Sequence, residues 1–359
     1  MVTPYAGKAV ETLWWAGYPN PCYYQYKAYD SVLKLIRKKN KKVKTSTKKQ
    51  THNYERINPA KFTAKLVVEP FWKRSLTKLI KEEKDFDLIL FLNTPLNQVP
   101  NLAGYLRKIT NAVLVYYDGD MPVHLPKYGG FSTGGYFLSE NLLSDFDLVI
   151  TNSGGIEDEL KEFGAKRVAT LHWAVDPSVY TPLKNQTKQY DVFFYGFGSE
   201  FREKAMQMFL TIPSIKLRKK EFILGGKYFT KKYGRTRYIG SVPFSKLRVL
   251  VAQTKINLNI TRESHALTPQ TSTARPFELA AMKACILSNY HEGIYHWFDV
   301  GKEIFVAKTA NEAIELYNWL LDDDNFRAEV VEQAYNRVMK EHTYINRAKQ
   351  LLEEVKQIK

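Results

Sequence analysis

The sequence predicts an α/β protein with two consecutive domains, each a parallel β-sheet covered by helices. At 359 residues, the chain is long enough for two domains of ordinary size. Short apolar runs alternate along it with amphipathic segments, as they do where helices join parallel strands. Aliphatic residues fill consecutive positions in these runs, as in strands that are buried on both faces. The 44% hydrophobic fraction also excludes an intrinsically disordered chain.

The first series of elements fills the amino-terminal half. Apolar runs predict strands at residues 87–92, 112–117, 147–152 and 167–172. Amphipathic periodicity predicts helices at residues 24–39, 64–84, 102–110 and 156–163. A polar stretch without periodicity, residues 182–189, then marks the predicted boundary between the domains.

A second series of elements follows this boundary. Its predicted strands are residues 191–195, 221–224, 255–260, 285–288 and 303–306. Its predicted helices are residues 199–210, 244–252 and 276–283, and three more close the chain at residues 311–321, 326–340 and 346–356. The predicted domains are therefore residues 1–182 and 190–340, followed by a carboxyl-terminal segment, residues 341–359.

Two clusters of basic residues carry the net charge of +16. Residues 27–84 hold 18 basic and 5 acidic side chains, and residues 214–248 hold 11 basic and 1 acidic. Within the first cluster, residues 37–49 contain eight lysine and arginine side chains and little apolar content. Two concentrated basic regions predict a polyanionic partner, either nucleic acid or an anionic membrane face.

Cysteine content and hydropathy predict a cytoplasmic protein. The two cysteines, Cys22 and Cys285, exclude a disulfide framework and an all-cysteine zinc site. The chain has no uncharged apolar run near the roughly 18 residues of a membrane span, and no leader-like start. The seven histidines show no metal-ligand spacing, so no metal site is predicted.

A hydroxyl-rich loop runs into a predicted helix at Pro276. Thr271, Ser272 and Thr273 precede the helix, where free N–H groups and the helix dipole favour an anion. Arg275 is a bidentate phosphate donor, and Glu278 is suited to accept both hydroxyls of a ribose. The alternative is an N-capped helix with a surface ion pair.

Two further loops follow predicted strands, at the end of a sheet where ligands bind. Gly196 and Gly198 allow close backbone approach, and Arg202 and Lys204 are suited to neutralise a pyrophosphate. Asp118 and Asp120, with His124 nearby, are candidates for general base catalysis. For this last loop the alternative is an Asp-Gly turn with a capping aspartate.

Several of these segments resemble the GT-B glycosyltransferases. Ala174-Val175-Asp176-Pro177 with Tyr180-Thr181-Pro182 is similar to the segment that crosses between the domains of that superfamily. The half from Asp147 onward is closest to the CgeB-like branch. The matching motifs are Arg275-Pro276-Phe277-Glu278, Asn289-Tyr290-His291-Glu292-Gly293, Gly301-Lys302-Glu303 and His342-Thr343-Tyr344-Ile345-Asn346-Arg347-Ala348.

The resemblance implies a GT-B fold. Two Rossmann-like domains would face a central cleft, and the carboxyl-terminal helices would pack back across the domains. The carboxyl domain would bind a nucleotide-sugar, with a UDP-sugar the expected donor. Glu278 would hold the ribose, and Arg275, Arg202 and Lys204 the diphosphate. No further cofactor and no metal would be required.

One departure bears on the mechanism that the resemblance implies. Retaining members often carry a glutamate eight positions before the residue that corresponds to Glu278, and this chain has Gln270 there. This favours an inverting transfer in which Asp118 or Asp120 deprotonates the acceptor hydroxyl and the cations stabilise the leaving diphosphate.

The Arg-x-x-Glu motif is also similar to that of phage DNA β-glucosyltransferases. The favoured acceptor is therefore a hydroxymethylated pyrimidine in DNA, and a phage-encoded chain would work in the host cytoplasm. Lys38, Lys39, Lys41 and Lys42 would contact phosphates, and Trp14 and Trp15 would hold a flipped base. The alternative acceptor is an envelope polysaccharide or a lipid-linked glycan. A nucleotide-sugar epimerase and a non-catalytic nucleic-acid binder stay open, as does the oligomeric state.

Overall fold

Two β-sheets organise the part of the chain that the structure describes. This computed structural model describes residues 68–83, 86–128, 138–139, 141–198 and 201–358. Trp14, Trp15 and the four lysines Lys38, Lys39, Lys41 and Lys42 lie outside the described residues, so their predicted roles in acceptor binding stay predictions. The chain divides into two compact units, Met1–Val115 and Tyr116–Lys359.

The described part of the first unit contains two α-helices and a strand, with a 3-10 helix, Leu96–Gln98, between the strand and the second α-helix. Helix α1 is Glu69–Glu82, strand β1 is Leu88–Leu92, and helix α2 is Leu102–Leu106. The buried Glu69 carboxylate pairs with Lys73 at 2.5 Å and accepts from the Asn101 N–H at 3.3 Å. The bond from Asn101 connects the start of α1 to the residue that precedes α2.

Strand β2, Val113–Asp118, crosses the division between the units. The four-stranded sheet has the order β1-β2-β3-β4, with β3 at Leu148–Thr151 and β4 at Val168–Thr170. β3 and β4 are parallel, and all four residues of β3 are buried. The helices that follow these strands are α3, Met121–His124, and α4, Glu157–Glu162.

The second unit also holds a six-stranded sheet. Its order is β10-β9-β8-β5-β6-β7, and every pair of neighbours in it is parallel. The strands are β5 Tyr190–Phe197, β6 Phe222–Lys227, β7 Arg237–Tyr238, β8 Thr254–Asn259, β9 Cys285–Asn289 and β10 Phe305–Ala307. Because all these strands run the same way, the loops after them meet at one edge.

Helices cover this sheet on both faces. The helices that follow β5 in the chain are α5 Glu203–Met206, α6 Ile212–Lys216, α7 Phe244–Ala252, α8 Glu263–Leu267, α9 Ala274–Ala281, α10 Ile294–Trp297, α11 Ala310–Asp322, α12 Asp324–Glu341 and α13 Tyr344–Lys356. One apolar core includes Phe209 and Tyr317, and the other includes Phe277 and Trp297. α9 begins at Ala274, so Pro276 lies in its first turn, where proline is tolerated.

The carboxyl-terminal helix α13 contacts the residues around β4. Its first turn is closed by a capping box between Thr343 and Asn346. Arg347 donates to the His172 carbonyl oxygen at 2.8 Å, and Glu354 pairs with Arg167 at 2.9 Å. Within the described ranges, no helix has both the length and the apolar character needed to cross a bilayer.

Candidate functional site

The loop before α9 is hydrogen-bonded to the segment that follows β3. Thr271 and Ser272 are fully buried, and the Ser272 hydroxyl donates to the Asn152 carbonyl oxygen at 3.0 Å. The Asn152 side-chain amide donates to the Ser272 carbonyl oxygen at 2.8 Å, and the hydroxyls of Thr271 and Ser153 bond to each other. The protein itself therefore occupies two of the three hydroxyls that the sequence offers to a phosphate.

Thr273 supplies the third hydroxyl of this loop. Its backbone is extended, and the residue directly precedes α9. Its Oγ1 is buried and has no hydrogen-bond partner among the described residues. A buried hydroxyl without a partner is unfavourable, so a ligand oxygen at this point would be stabilising. Of the three, Thr273 fits the predicted phosphate contact best.

Arg275 and Glu278 lie one helical turn apart on α9 and both contact Tyr195 near the end of β5. The Arg275 guanidinium lies over the Tyr195 ring, 3.9 Å from its centroid, and donates to the Tyr195 carbonyl oxygen. The Tyr195 hydroxyl donates to Glu278 Oε2 at 3.3 Å. A cation and a carboxylate are thus held side by side at the carboxyl end of the sheet.

Three tyrosines lie close enough to the Glu278 carboxylate for its charge to affect their pKa. Burial raises the pKa of the Tyr195 phenol well above its usual range, and the charge of Glu278 adds to this despite the nearby Arg275. Burial and the Glu278 charge also raise the pKa of Tyr180, and they raise that of Tyr344 to about 12. All three phenols therefore stay protonated near neutral pH. Their rings place aromatic surface next to the Glu278 carboxylate, which can accept hydrogen bonds from hydroxyl groups.

Gly196 and Gly198 lie where β5 approaches β6. A Cβ on Gly198 would be 2.4 Å from the Tyr228 carbonyl oxygen, which is closer than real contacts allow. A Cβ on Gly196 would lie 3.1 Å from the Phe194 ring and 3.8 Å from the Arg202 guanidinium. Backbone packing thus requires a glycine at position 198, and Gly196 lies beside Arg202, a cation that the sequence analysis assigns to the diphosphate.

Arg202 and Lys204 line a cavity of about 310 Å³. The cavity lies at the carboxyl ends of β8, β9 and β10, where Asn289 and Tyr290 also face it. Arg202 Nε donates to the Ile260 carbonyl oxygen at 2.8 Å, which fixes the arginine beside β8. Lys204 is exposed. The structure therefore brings Arg202, but not Lys204, into a built hydrogen-bonding arrangement.

Asp118, at the end of β2, is a buried anchor for its own loop. Its side chain is 1% exposed. One carboxylate oxygen accepts from the Tyr116 hydroxyl at 2.8 Å and lies 2.6 Å from His124 Nδ1. The other oxygen accepts from the Asp120 N–H at 2.8 Å. Both oxygens are therefore engaged, which leaves Asp118 poorly placed to meet a substrate.

Asp120 lies two residues further and is accessible, with a side chain that is 48% exposed. It forms an ion pair with Arg262, and its carboxylate lies 3.4 Å from His265 Nε2. Burial acts to raise the pKa of Asp120, but the hydrogen bond from His265 and the charge of Arg262 outweigh it and hold this pKa well below its usual range. Burial also lowers the pKa of His265. Asp120 is therefore ionised at neutral pH.

Trp173 fixes the loop that carries Asp120. Its backbone N–H donates to the Ser272 hydroxyl at 2.8 Å, and its indole N–H donates to the Gly119 carbonyl oxygen at 3.1 Å. A Cβ on Gly119 would lie 2.3 Å from the Trp173 ring, so only glycine fits between them. The loop before α9 and the loop after β2 are thereby linked through one side chain.

The sequence analysis did not single out Arg262 or His265. Both residues follow β8. They could have been predicted as site residues, because ligands of parallel sheets bind at the carboxyl ends of the strands. In the described parts of the chain, no group of three or more His, Cys, Asp or Glu side chains is arranged to hold a metal ion.

Comparisons with known proteins agree with this architecture. Residues 207–353 match a protein-family model described as glycosyl transferase-like. Sucrose-phosphate synthase from Thermosynechococcus elongatus superposes with a TM-score of 0.58 at 13% identity, covering 82% of this chain and 79% of that one. The chain has the GT-B fold. The predicted fold class is thus confirmed.

Two other solved structures share the GT-B fold. The HepE protein of Anabaena, solved in complex with UDP, gives a TM-score of 0.59 at 16% identity over 80% of this chain and 82% of its own. A DNA-modifying β-glucosyltransferase, studied with and without uridine diphosphoglucose, gives a TM-score of 0.51 at 16% identity. The match covers 77% of this chain and 84% of that one. No curated protein sequence matches the chain significantly.

Proposed function

We propose that this GT-B chain is a glycosyltransferase of the CgeB-like branch that moves a hexose from a UDP-sugar to an acceptor hydroxyl. The observation that carries the proposal is the joint attachment of Arg275 and Glu278 to Tyr195 at the carboxyl end of β5. The family match over residues 207–353 includes both α9 residues and supports the transferase class. The UDP complex of HepE supports the choice of nucleotide.

The donor site that we propose is built around α9. Glu278 accepts hydrogen bonds from the two ribose hydroxyls. Its carboxylate already accepts one from the Tyr195 hydroxyl, so it is oriented toward a hydroxyl donor. Arg275 and Arg202 neutralise the diphosphate with support from Lys204, and the Thr273 hydroxyl donates to a phosphate oxygen. The backbone at Gly196 and Gly198 forms the wall that the diphosphate approaches.

The chemistry that we propose is an inverting displacement. The acceptor oxygen forms a bond to the anomeric carbon while the bond from that carbon to the diphosphate oxygen breaks, and the diphosphate leaves with the electron pair. Asp120 takes the acceptor proton, a role for which its exposure suits it better than Asp118. The ion pair with Arg262 lowers the proton affinity of Asp120 and so opposes this proton transfer. The transfer therefore requires Arg262 to leave Asp120 and turn toward the departing diphosphate. The cations stabilise that leaving group, so no metal is needed.

The acceptor that we favour is a hydroxymethylated pyrimidine in DNA, modified in the cytoplasm. The basic segment at residues 214–248 supports a polyanionic acceptor, and the likeness to a DNA-modifying β-glucosyltransferase supports DNA. An envelope polysaccharide or lipid-linked glycan is the second candidate, because the same positive charge suits an anionic membrane. An epimerase would convert the nucleotide-sugar whether or not an acceptor is present. A non-catalytic binder would not convert it at all.

The test is consumption of UDP- and GDP-sugars with and without DNA that contains hydroxymethylated pyrimidines. Turnover that requires the modified DNA would support both donor and acceptor. Glu278→Gln should weaken UDP-sugar binding about 5- to 150-fold, for roughly 1–3 kcal/mol of lost charged hydrogen bonding. The matched control is Glu329→Gln, on the exposed side of α12. Unchanged donor binding by Glu278→Gln would refute the proposed site.

A further inference from the structure

An exposed pair of stacked aromatic rings lies at the carboxyl ends of β5 and β6. Phe197 ends β5 and Tyr228 directly follows β6, and their ring centroids are 6.0 Å apart at an interplanar angle of 25°. The two residues are nevertheless 47% and 68% exposed. The pair therefore presents a flat aromatic surface to solvent instead of completing the core.

The backbone around this pair is held in an unusual conformation. Tyr228 has a φ of 63°, in the left-handed region that bulky residues rarely adopt. A Cβ on Gly226, whose own φ is 130°, would lie 1.9 Å from the Gly196 carbonyl oxygen. The ends of β5 and β6 thus approach as closely as glycine permits. Strain of this kind is typical of functional positions, and here it occurs at the residue whose ring stacks on Phe197.

Tyr228 belongs to a basic segment that runs from the end of β6 through β7. Residues 227–238 contain five cationic side chains, four aromatic ones, and no acidic or aliphatic residue. Lys231 pairs with Glu203 at 3.3 Å and Arg237 with Glu221 at 2.6 Å. For the other three cations, Lys227, Lys232 and Arg235, the described residues provide no carboxylate partner. Positive charge is therefore in excess beside the rings.

We propose that Phe197, Tyr228 and residues 227–238 form a platform that binds a nucleic-acid strand. A base stacks on the outer face of the aromatic pair, and Lys227 and Lys232 neutralise the adjoining phosphates. The inference rests on the proposed function, since it assigns a surface to the nucleic-acid acceptor. It is tested by binding alone, in the absence of donor and of modified bases.

Charge and composition favour a strand over the other ligands that such a surface suggests. A nucleotide-sugar has one base and one diphosphate, whereas this loop concentrates five cations in twelve residues. A membrane-inserting surface presents several tryptophan, leucine or phenylalanine side chains beside its basic residues. The platform has only two of these, Phe197, which stacks on Tyr228, and Phe229, which packs edge-on against Tyr233. Repeated phosphates and bases match the observed pattern of repeated cations and rings.

The experiment measures affinity of the full chain for a labelled, unmodified single-stranded DNA of about 15 nucleotides, at several salt concentrations. Tyr228→Gly removes the ring and keeps the left-handed backbone, so it should weaken binding about 5- to 150-fold without changing the salt dependence. Lys227→Gln with Lys232→Gln should instead reduce the slope of log affinity against log salt by about 1.4, for two single-strand phosphates.

Matched controls lie elsewhere on the surface. Tyr295→Ala removes another exposed tyrosine, and Lys184→Gln with Lys349→Gln removes two exposed lysines. We expect neither control to alter affinity or slope. UDP and phosphatidylserine vesicles serve as competing probes for the same variants.

The proposal is overturned if the platform variants bind the oligonucleotide like the native chain. It is also overturned if Tyr228→Gly weakens only UDP binding, which would make the pair a donor subsite, or if only vesicle binding is lost. Failure of the proposed function gives a different result. In that case Glu278→Gln would keep its UDP-sugar affinity, while the oligonucleotide binding of the platform variants would still fall.

Discussion

Asp120 and Arg262 form an ion pair although 142 positions separate them in the chain. The aspartate follows a strand of the four-stranded sheet and the arginine follows a strand of the six-stranded sheet. The pair therefore joins Asp120, the accessible carboxylate of the predicted catalytic loop, to a cation of the domain that is predicted to bind the nucleotide-sugar.

The ion pair predicts a pH-dependent contribution to stability. The native pKa of Asp120 is held below its unfolded value of about 3.9, so its stabilisation is fully present above that value and is lost as pH falls below it. Asp120→Asn should destabilise the protein at pH 7 by about 1 kcal/mol, since the exposed half of the pair is screened by solvent. Urea unfolding of both proteins at pH 7 and pH 3 measures this difference.

The difference between the two proteins should shrink at pH 3, where Asp120 is mostly protonated in the unfolded chain. Asp158→Asn, at an exposed i,i+3 pair with Lys161, is the control. Equal destabilisation by Asp120→Asn at both pH values would mean that its charge is not the source of the effect.

The two aspartates of this loop should respond differently to the same substitution. Asp120→Asn should lower kcat about 100-fold or more and leave the donor KM unchanged, because it removes the proton acceptor and no proposed contact to the donor. Asp118→Asn should mainly lower the free energy of unfolding, by about 1–3 kcal/mol, because a buried carboxylate with three partners is lost.

Steady-state kinetics with urea unfolding of each variant checks this separation. Full turnover by both variants would exclude either residue as the base. A loss of turnover confined to Asp118→Asn at normal stability would reverse the two assignments.

The sequence predicted nearly all the strands because their signal is local. Buried runs such as residues 255–260 and 285–288 are apolar at consecutive positions, and the structure has strands there. The exception is β7, since Arg237 and Tyr238 are exposed and show no apolar run. Its pairing with β6 depends on Ile223 and Leu224, which no local pattern around residue 237 reveals.

Site residues were harder to predict because their partners are distant in sequence. A hydroxyl-rich loop before a helix is typical of an anion site, yet Ser272 bonds to Asn152, 120 positions earlier. Only the three-dimensional structure separates Thr273, whose hydroxyl has no partner within the described residues, from its two bonded neighbours. The same holds for Asp118 and Asp120, which are alike in sequence and unlike in exposure.

The close approach of β5 and β6 predicts that Gly198 is irreplaceable. Gly198→Ala should destabilise the protein by about 1–3 kcal/mol, because its Cβ meets the Tyr228 carbonyl oxygen and the backbone must shift. Gly240→Ala is the comparison, because a Cβ added at Gly240 would have no atom within 4 Å. This variant should lose only the free energy that an alanine costs at a φ of 77°, about 1 kcal/mol. Chemical denaturation measures both.

In Gly198→Ala, UDP-sugar affinity should also fall, because the shifted backbone carries the wall of the proposed donor site. Gly240→Ala should leave that affinity unchanged. An alanine at position 198 with native stability would mean that the two strand ends separate readily.

Ser272 should matter for turnover even though it is buried away from the substrate. Its hydroxyl accepts from the Trp173 N–H, and the Trp173 indole donates to the Gly119 carbonyl oxygen, next to Asp120. Ser272→Ala removes the first of these bonds together with the hydroxyl's bond to the Asn152 carbonyl oxygen, and it should lower the free energy of unfolding by about 1–3 kcal/mol. It should also lower kcat with little change in donor KM, because the loop that carries Asp120 loses its support. Ser245→Ala, at an exposed position in α7, is the control. If Ser272→Ala loses stability but keeps its kcat, then Trp173 does not position the Asp120 loop.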